Sequence, residues 1–335
     1  MTAQSHEVLS VAVLFGGSGS ERGVSAASAW HVVGALRECG HRVHAVDLSQ
    51  GRLSGADEER CLQAEIHNLP PTPELLASAA VSPRLAEQLM GVDVVFLALH
   101  GSTGENGGVQ AVLESAGLPY TGGLHVATTV ATDKDLSKRL LRAADIRTPD
   151  WNVIRNGDSL PPLDGPVVVQ PNARGSVIGL TLVTNPHAFP DAVRQLQVHY
   201  ADVIVERFVA GRDFAVGVLN GRSLAVGEIR LKNKKVFDYE AKYQLGDAVA
   251  VFPAEMPISL EAKLRALAVR AHRTLRLGSY SSAHFRVDQE GRIWCLEVDA
   301  LPGLTPNSLF PQAAQAVGIP FPRLCEAICR LAVRP

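Results

Sequence analysis

Short apolar runs that end near glycine alternate with helical segments in the first third of the chain. The runs VLSVAVLFGG, HRVHAVDL and GVDVVFLALHG have this form, and VSAASAWHVVGALRECG lies between the first two. Strands buried on both faces of a parallel sheet are continuously apolar, and their alternation with helices is typical of βαβ units. The pattern therefore predicts a doubly wound α/β domain at the N-terminus.

The pattern changes twice further along the chain. After LPYTGG, the helical segment TDKDLSKRLLRAADI opens with Thr132 as its expected N-cap and leads through a proline-rich stretch into the strand VVVQP. In VIVERFVAGRDFAVGVL, two strand-like runs flank the turn AGRD. We therefore expect three domains, covering residues 1–122, 123–210 and 211–335.

Composition favours small-molecule chemistry. The 335 residues are 46% hydrophobic with a net charge of −2, which gives no general attraction to nucleic acid or to an anionic membrane. The N-terminus lacks the regions of a signal peptide, no apolar run is long enough to span a membrane, and the five cysteines show no paired CxxC spacing. We expect a cytoplasmic protein with reduced cysteines and no membrane or nucleic-acid partner.

Two predicted strands near the C-terminus carry polar side chains. SYSSAHFRV and RIWCLEVDA are joined by the turn DQEG, as in a hairpin. Because alternate strand residues share a face, Glu297 and Asp299 point the same way, and His284 is on the preceding strand alongside. The pattern leaves two interpretations open, a metal site and a surface hairpin without an ion.

Three glycine-rich loops follow predicted strands. They are VLFGGSGSERGVS, ALHGSTGENGG with His100 and Glu105, and VVVQPNARGSVIGL with Arg174. Free backbone N–H groups in such a loop can hold an anion. Ordinary tight turns also need glycine for its backbone freedom, so each loop by itself leaves both interpretations open.

The chain resembles the D-alanine:D-alanine ligases of the ATP-grasp superfamily from about Val11 to Ala327. Seven motifs in order carry the resemblance: LFGGSGSER, ALHGSTGENG, ATDKDLSKRLL, GSVIGL, VERFVAGRDFAVGVL, FDYEAKY and LEVDALPGLTPNSLFP. The resemblance implies an α/β ATP-grasp fold of three domains, with a Rossmann-like first domain and the nucleotide between the other two. It also implies ATP and Mg2+ as cofactors, with Mn2+ as the alternative metal.

The resemblance implies most of a nucleotide site. Lys134 matches one of two lysines that contact ATP, and the other falls on Gln170, so a positive charge near the α-phosphate is missing. Asp213 matches the acidic residue that holds the ribose hydroxyls. The hinge beside adenine corresponds to Glu206, Arg207, Phe208 and Val209.

The phosphate loop and the mobile flap of the family site are also matched in part. In the phosphate loop Ser176 is matched, whereas the next serine is Val177. Lys242 and Tyr243 match the flap that closes over the site. The nearby Lys232, Lys234 and Lys235 add positive charge, although exposed basic loops are common without a role in binding.

The family metal ligands, which are Asp, Glu and Asn, correspond here to His284, Glu297 and Asp299. The summed charge of the ligands is unchanged. Mg2+ prefers oxygen ligands, whereas imidazole suits Mn2+, Zn2+ and other transition metals better. The resemblance therefore implies a metal site with an altered metal preference.

The amino-acid sites depart furthest from the family pattern. The glutamate that anchors the first D-alanine ammonium is aligned with Gly23, and the arginine that stabilises the tetrahedral intermediate is aligned with Ser282. Loss of a charge aimed at a developing oxyanion costs about a hundredfold or more in rate. Gly303, the backbone donor near the oxyanion, and Ser308, which holds the acceptor carboxylate, are matched.

These matches predict a divergent ligase that joins a small-molecule carboxylate to an amine through an acyl phosphate, on a substrate other than D-alanine, in specialised metabolism. Two alternatives stay open. One is a pseudoenzyme that serves a partner enzyme, and the other is ATP-independent chemistry in the same pocket with His100 or His284 as acid or base. Related ligases are commonly homodimers through the N-terminal domain, which is the expectation here.

Overall fold

The computed structural model describes residues 7–17, 21–63, 84–173, 179–232, 236–237 and 248–333, apart from the side chains of residues 102 and 103. Within these ranges the strands form three sheets. The helices of eight or more residues are α1 Arg22–Glu38, α2 Gly55–Leu62, α5 Gly108–Ser115, α6 His125–Thr132, α7 Lys134–Ala143, α8 Phe189–Gln197, α9 Ile258–Thr274 and α11 Phe321–Ala332. The shorter ones are α3 Leu85–Gln88, α4 Ser102–Glu105 and α10 Leu309–Gln315, with a 3-10 turn at Pro186–Ala188.

The first sheet confirms the parallel arrangement predicted for the N-terminal part of the chain. Its order is β3-β2-β1-β4, and β1 pairs in parallel with both β2 and β4, whereas the short β3 is antiparallel to β2. All four residues of β4 and five of the six in β1 are buried, as continuous apolar runs require. The strands are β1 Ser10–Phe15, β2 Arg42–Asp47, β3 Gly51–Arg52 and β4 Val94–Leu97.

The second sheet is antiparallel and has the order β5-β8-β6-β7. Helix α8 packs on it through Phe189 and Val193, which join Val169 and Val205 in one buried cluster. The strands are β5 Trp151–Arg155, β6 Val167–Pro171, β7 Thr181–Val183 and β8 Asp202–Arg207.

The third sheet is antiparallel and has the order β11-β10-β9-β12-β13. Helix α9 covers one face through Leu264, Ala268 and Ala271. The predicted hairpin is confirmed, because β12 and β13 pair across a turn in which Gly291 has a φ of +75°. The strands are β9 Arg212–Leu219, β10 Arg222–Leu231, β11 Ala248–Val251, β12 Tyr280–Val287 and β13 Ile293–Asp299.

The last helix returns to the first domain. Cys325, Ile328 and Cys329 of α11 lie in the same buried cluster as β1 and α1. Burial raises the pKa of both cysteine thiols, so these two side chains pack as neutral apolar groups. The domain limits at residues 122 and 210 stay a prediction.

The predicted N-cap of α7 was wrong by one residue. Asp133, not Thr132, caps this helix, and its Oδ1 accepts from the Leu136 N–H at 3.0 Å. Thr132 ends helix α6 instead, and its hydroxyl donates to the Thr128 carbonyl at 3.0 Å. Aspartate caps as well as threonine, and Asp133 has the extended backbone that the position requires. Among all the helices described, none is both long and apolar enough to cross a membrane.

Candidate active site

A cleft with an empty volume of about 740 Å³ lies between the second and third sheets. Strands β6 and β8 of the second sheet and β9, β12 and β13 of the third supply most of its lining residues. The structure therefore brings together most of the residues predicted for nucleotide and metal: Gln170, Glu206, Arg207, Phe208, Val209, Asp213, His284 and Glu297.

Backbone hydrogen bonds to carbonyl groups just before β5 and β6 of the second sheet hold the hinge between β8 and β9 in place. The Arg207 N–H donates to the Asp150 carbonyl at 2.9 Å, and the Phe208 N–H donates to the Pro166 carbonyl at 2.9 Å. The Arg207 guanidinium lies over the Trp294 ring, 4.6 Å from its centroid. Because Trp294 belongs to β13, this contact joins the two sheets at the hinge.

A buried lysine that the sequence analysis missed holds the first carboxylate of the cleft. Lys138 Nζ lies 2.5 Å from Glu206 Oε1 and 2.6 Å from the Thr148 hydroxyl. Gln170, which replaces a lysine of the family pattern, donates its amide N–H to Glu206 Oε2 at 2.5 Å. The spacing of Lys134 and Lys138 could have indicated this role, since residues four apart share a helix face.

The second carboxylate of the cleft is also paired. Arg286 Nε and Nη2 donate to the two oxygens of Asp213, each at 2.6 Å. Arg286 and Asp213 are directly opposite each other on β12 and β9. Arg286 is an additional residue of this site that the sequence analysis did not identify.

The hairpin brings its three polar residues together. His284 lies opposite Glu297 in the ladder, and His284 Nε2 is 3.3 Å from Asp299 Oδ2. One ligand atom from each of His284, Glu297 and Asp299 lies within 4.8 Å of the others. One imidazole nitrogen and two carboxylates at this spacing fit a single divalent cation of the kind that accepts nitrogen ligands. The side-chain pair of His284 and Asp299 is equally what the hairpin interpretation without an ion requires.

A smaller cavity, with an empty volume of about 380 Å³, adjoins the cleft at Glu297. Lys134, at the start of α7, lines it together with Glu105 and Asp299. The Lys134 side chain is buried, with only 5% of the residue exposed. The predicted phosphate-contacting lysine therefore lies beside two of the predicted metal ligands.

His100 does not line this cavity but lies next to Glu105, which does. Its Nε2 is 2.9 Å from the Ser28 hydroxyl and its Nδ1 is 3.9 Å from Glu105 Oε1. Glu105 Oε2 is buried, and no group in the described ranges of the chain forms a hydrogen bond with it. A carboxylate with an unused buried oxygen beside the cavity can accept a hydrogen bond from a bound molecule.

Gly23 lies in the first turn of α1 and is buried. Two residues earlier, Glu21 is 1% exposed, and a Cβ added to Gly101 would come within 2.7 Å of its Oε2. A buried carboxylate thus occupies the loop beside the His100 turn, although position 23 has none. The signal in the sequence is the acidic residue of SERGVS that immediately precedes the helix.

The predicted acceptor residues lie at the far end of the third sheet. Ser282 is buried and pairs with Asp299 on β13 and Gly217 on β9. Gly303 packs against Ser308, whose hydroxyl is 2.8 Å from that of Thr305. Ser282 thus lies directly next to Asp299, one of the predicted metal ligands, whereas Gly303 and Ser308 lie in a separate turn that leads into α10.

Several predicted residues fall outside the described ranges, and their roles stay predictions. They are Arg174, Ser176, Val177, Lys234, Lys235, Lys242 and Tyr243. Lys232 is described and exposed.

The sequence matches two family descriptions, "D-ala D-ala ligase N-terminus" over residues 10–123 and "D-ala D-ala ligase C-terminus" over residues 140–330. It is 36% identical over 326 residues to a D-alanine–D-alanine ligase of Nitratidesulfovibrio vulgaris (strain DP4), covering 96% of this chain and 98% of that protein. It is also 36% identical over 321 residues to the enzyme of that name from Aquifex aeolicus (strain VF5), covering 95% and 99%.

The solved structures agree with these sequence matches. A crystal structure of the D-alanine–D-alanine ligase from Bacillus anthracis aligns with a TM-score of 0.78 and 26% identity over 98% of both chains. A second structure of that enzyme, complexed with ATP, has the same TM-score at 24% identity. The ATP-grasp fold predicted from the motifs is confirmed, as is the expectation of an ATP-dependent carboxylate–amine ligase, and the chain belongs to the D-alanine–D-alanine ligase family.

Proposed function

We propose that this chain activates the carboxylate of an amino acid with ATP and joins it to an amine. One observation carries the proposal: the nucleotide cleft and the cavity lined by Lys134 and Glu105 adjoin each other, because Glu297 lines both, and each of the three predicted metal ligands lines one or both of them. A phosphoryl donor in the cleft and a carboxylate in the cavity would therefore meet at the triad His284, Glu297 and Asp299.

The reaction has two steps. A carboxylate oxygen attacks the γ-phosphorus of ATP, the bond to the bridging oxygen breaks, and ADP leaves. The amine then attacks the acyl phosphate carbon, inorganic phosphate leaves, and the amine loses a proton. Phosphoryl transfer depends mainly on positioning and on neutralising the phosphate charge, and Lys134 supplies a buried positive charge beside the cavity.

A divalent cation would be held by His284 Nε2 and by the carboxylates of Glu297 and Asp299, whose spacing fits one ion. Such a cation neutralises phosphate charge and aligns the transferred group. Because one ligand is an imidazole, we propose Mn2+ as the preferred ion over Mg2+.

For the donor amino acid, Glu21 and His100 support a D-alanine-like substrate. A buried carboxylate can pair with an ammonium group, and Glu21 lies against Gly101, next to His100. The hypothesis of a substrate other than D-alanine rested on Gly23 and Ser282, and Glu21 removes the first reason. Ser282 still favours a different acceptor, because a hydroxyl there cannot neutralise an anionic intermediate as a guanidinium does.

The test is phosphate release from ATP with Mn2+ or Mg2+, first with D-alanine alone and then with D-alanine plus a panel of amino acids, with products identified by mass spectrometry. We expect D-alanine to support turnover as donor and another amino acid to exceed D-alanine as acceptor. Glu21→Gln should raise the KM for the donor amino acid, whereas Glu38→Gln on the exposed side of α1, the matched control, should leave it unchanged.

A pseudoenzyme is the second candidate, and it is favoured by the Gln170 amide, which bonds to Glu206 and adds no charge to the cleft. Nucleotide binding without phosphate release, for every carboxylate tried, would support this alternative and contradict the ligase. A homodimer and a partner enzyme stay predictions.

A further inference from the structure

Arg286 contacts three residues of the nucleotide cleft, although the sequence predicts no role for it. It is 5% exposed and donates through both Nε and Nη2 to Asp213, each at 2.6 Å. Its third nitrogen, Nη1, donates to the backbone carbonyl of Val209 at 3.0 Å. Two hydrogen bonds from one planar guanidinium to one carboxylate fix direction as well as distance.

The same guanidinium also contacts the ring of the hinge. Its central carbon lies 5.3 Å from the centroid of the Phe208 ring, within the range of a cation–π contact. Phe208 and Val209 are the first two residues of the segment between β8 and β9, and Asp213 is the second residue of β9. One side chain of β12 therefore ties the hinge backbone, the hinge ring and the cleft carboxylate together.

Arg286 lies on the same strand as one predicted metal ligand. His284 precedes it by two residues on β12, and both line the cleft. Because β12 is paired with β9 on one side and β13 on the other, replacing the Arg286 side chain should leave the strand and His284 in place.

We propose that Arg286 is a positioning residue for the nucleoside part of ATP, which sets the distance between the base-binding hinge and the sugar-facing carboxylate of Asp213. This inference rests on the proposed function, because it assumes that an adenine nucleotide enters the cleft. The guanidinium contacts Asp213, Val209 and Phe208, which are the residues expected at the ribose and the base, so its effect should be confined to the nucleoside end of the ligand.

The consequence is a selective effect on affinity. Arg286→Met leaves the Asp213 carboxylate and the Val209 carbonyl without their donor, and both are then free to move. Truncating one member of a buried charged pair at a binding site commonly weakens binding by about thirtyfold or more. The loss should be equal for adenosine, ADP and ATP, whereas affinity for inorganic tripolyphosphate should not change.

The experiment is calorimetry of these four ligands with wild type, Arg286→Met, Arg286→Lys and the double variant Arg286→Met/Asp213→Asn, with thermal unfolding of each. The double variant removes the unpaired buried charge, so its stability should recover while its adenosine affinity should not. Arg286→Lys should recover part of the affinity, because an ammonium retains the charge but not the planar two-point contact. Arg292→Met, which removes a half-exposed arginine of the turn just before β13, is the matched control.

The outcomes separate the two proposals. Wild type that binds neither adenosine nor ATP contradicts the proposed function. Wild type that binds both, with an Arg286→Met affinity like that of wild type or a double variant that regains adenosine affinity along with stability, overturns the positioning role of Arg286. If Arg286→Met unfolds below the assay temperature, Arg286→Lys decides the matter: an adenosine affinity equal to that of wild type overturns the positioning role, and an equal loss for adenosine, ADP and ATP supports it.

Discussion

Lys138 and Glu206 form a buried ion pair at the base of the nucleotide cleft, with 2.5 Å between Nζ and Oε1 and side-chain exposures of 1% and 8%. The Thr148 hydroxyl accepts from the same ammonium, and the Gln170 amide donates to the second carboxylate oxygen. Every strong polar group of this cluster therefore has a partner, which is the condition for keeping charges away from water.

Lys138→Met should destabilise the protein by about 3–5 kcal/mol, because it leaves the Glu206 charge buried without its counter-ion. The free energy of unfolding in urea measures this. Lys138→Met/Glu206→Gln should recover much of the loss, and Lys263→Met, at an exposed position of α9, should have little effect. A Lys138→Met variant as stable as wild type would contradict the energetic role of the pair.

Substitution of His284 should change metal preference. Titration of Mn2+ and Mg2+ in the presence of ATP, followed by electron paramagnetic resonance for Mn2+, should show tighter Mn2+ binding in wild type, because imidazole is a poor Mg2+ ligand. His284→Asp should shift the preference towards Mg2+, and Glu297→Gln should weaken both ions. His199→Ala, outside the cleft and cavity, is the control. Equal affinities in wild type and His284→Asp would favour the hairpin without an ion.

Glu21→Gln should raise the KM for the donor amino acid by roughly tenfold to a hundredfold, because a hydrogen bond to a charged partner contributes about 1.5–3 kcal/mol. The KM for ATP should remain close to that of wild type, since Glu21 does not line the nucleotide cleft. Steady-state kinetics with each substrate varied in turn measures the difference. An equal rise in the KM for the donor and the KM for ATP would mean that Glu21 supports the structure of the whole site and does not bind the donor.

Asp47 should make stability depend on pH at the acidic end. Burial alone would raise the pKa of this carboxyl, but hydrogen bonds from Arg22 and Ser49 bring it below its ordinary value of 3.8. A lowered folded pKa stabilises above the unfolded value and loses that contribution as the pH falls through the folded one.

The stability difference between wild type and Asp47→Asn should therefore be full at neutral pH and shrink as the pH falls below about 3.8. Urea unfolding of both proteins at about pH 7, 5 and 3, which lie above and below the ordinary pKa of an aspartate, measures this difference. Asp57→Asn, an exposed residue of α2, serves as the comparison and should change stability little at any of them. A difference that stays constant down to pH 3 would contradict the lowered pKa of Asp47.

The sequence by itself determined the elements and the order of the site. Continuous apolar runs gave β1 and β4, alternation placed Glu297 and Asp299 on one face, and the turn DQEG gave the hairpin that carries His284. These features depend on neighbours within a few residues, for which period and turn chemistry are sufficient. The motifs likewise predicted which residues line the cleft.

Only the tertiary structure decided which charges meet. Lys138 and Glu206 are 68 positions apart, Arg286 reaches Asp213 across 73 residues, and Glu21 lies against Gly101. The partner of a buried charge depends on strand register and helix packing, because Coulomb energies act over a few ångströms of space and not along the chain. For the same reason the resemblance, which aligns the family glutamate with Gly23, does not identify the buried carboxylate of Glu21, because its placement depends on the fold of the loop.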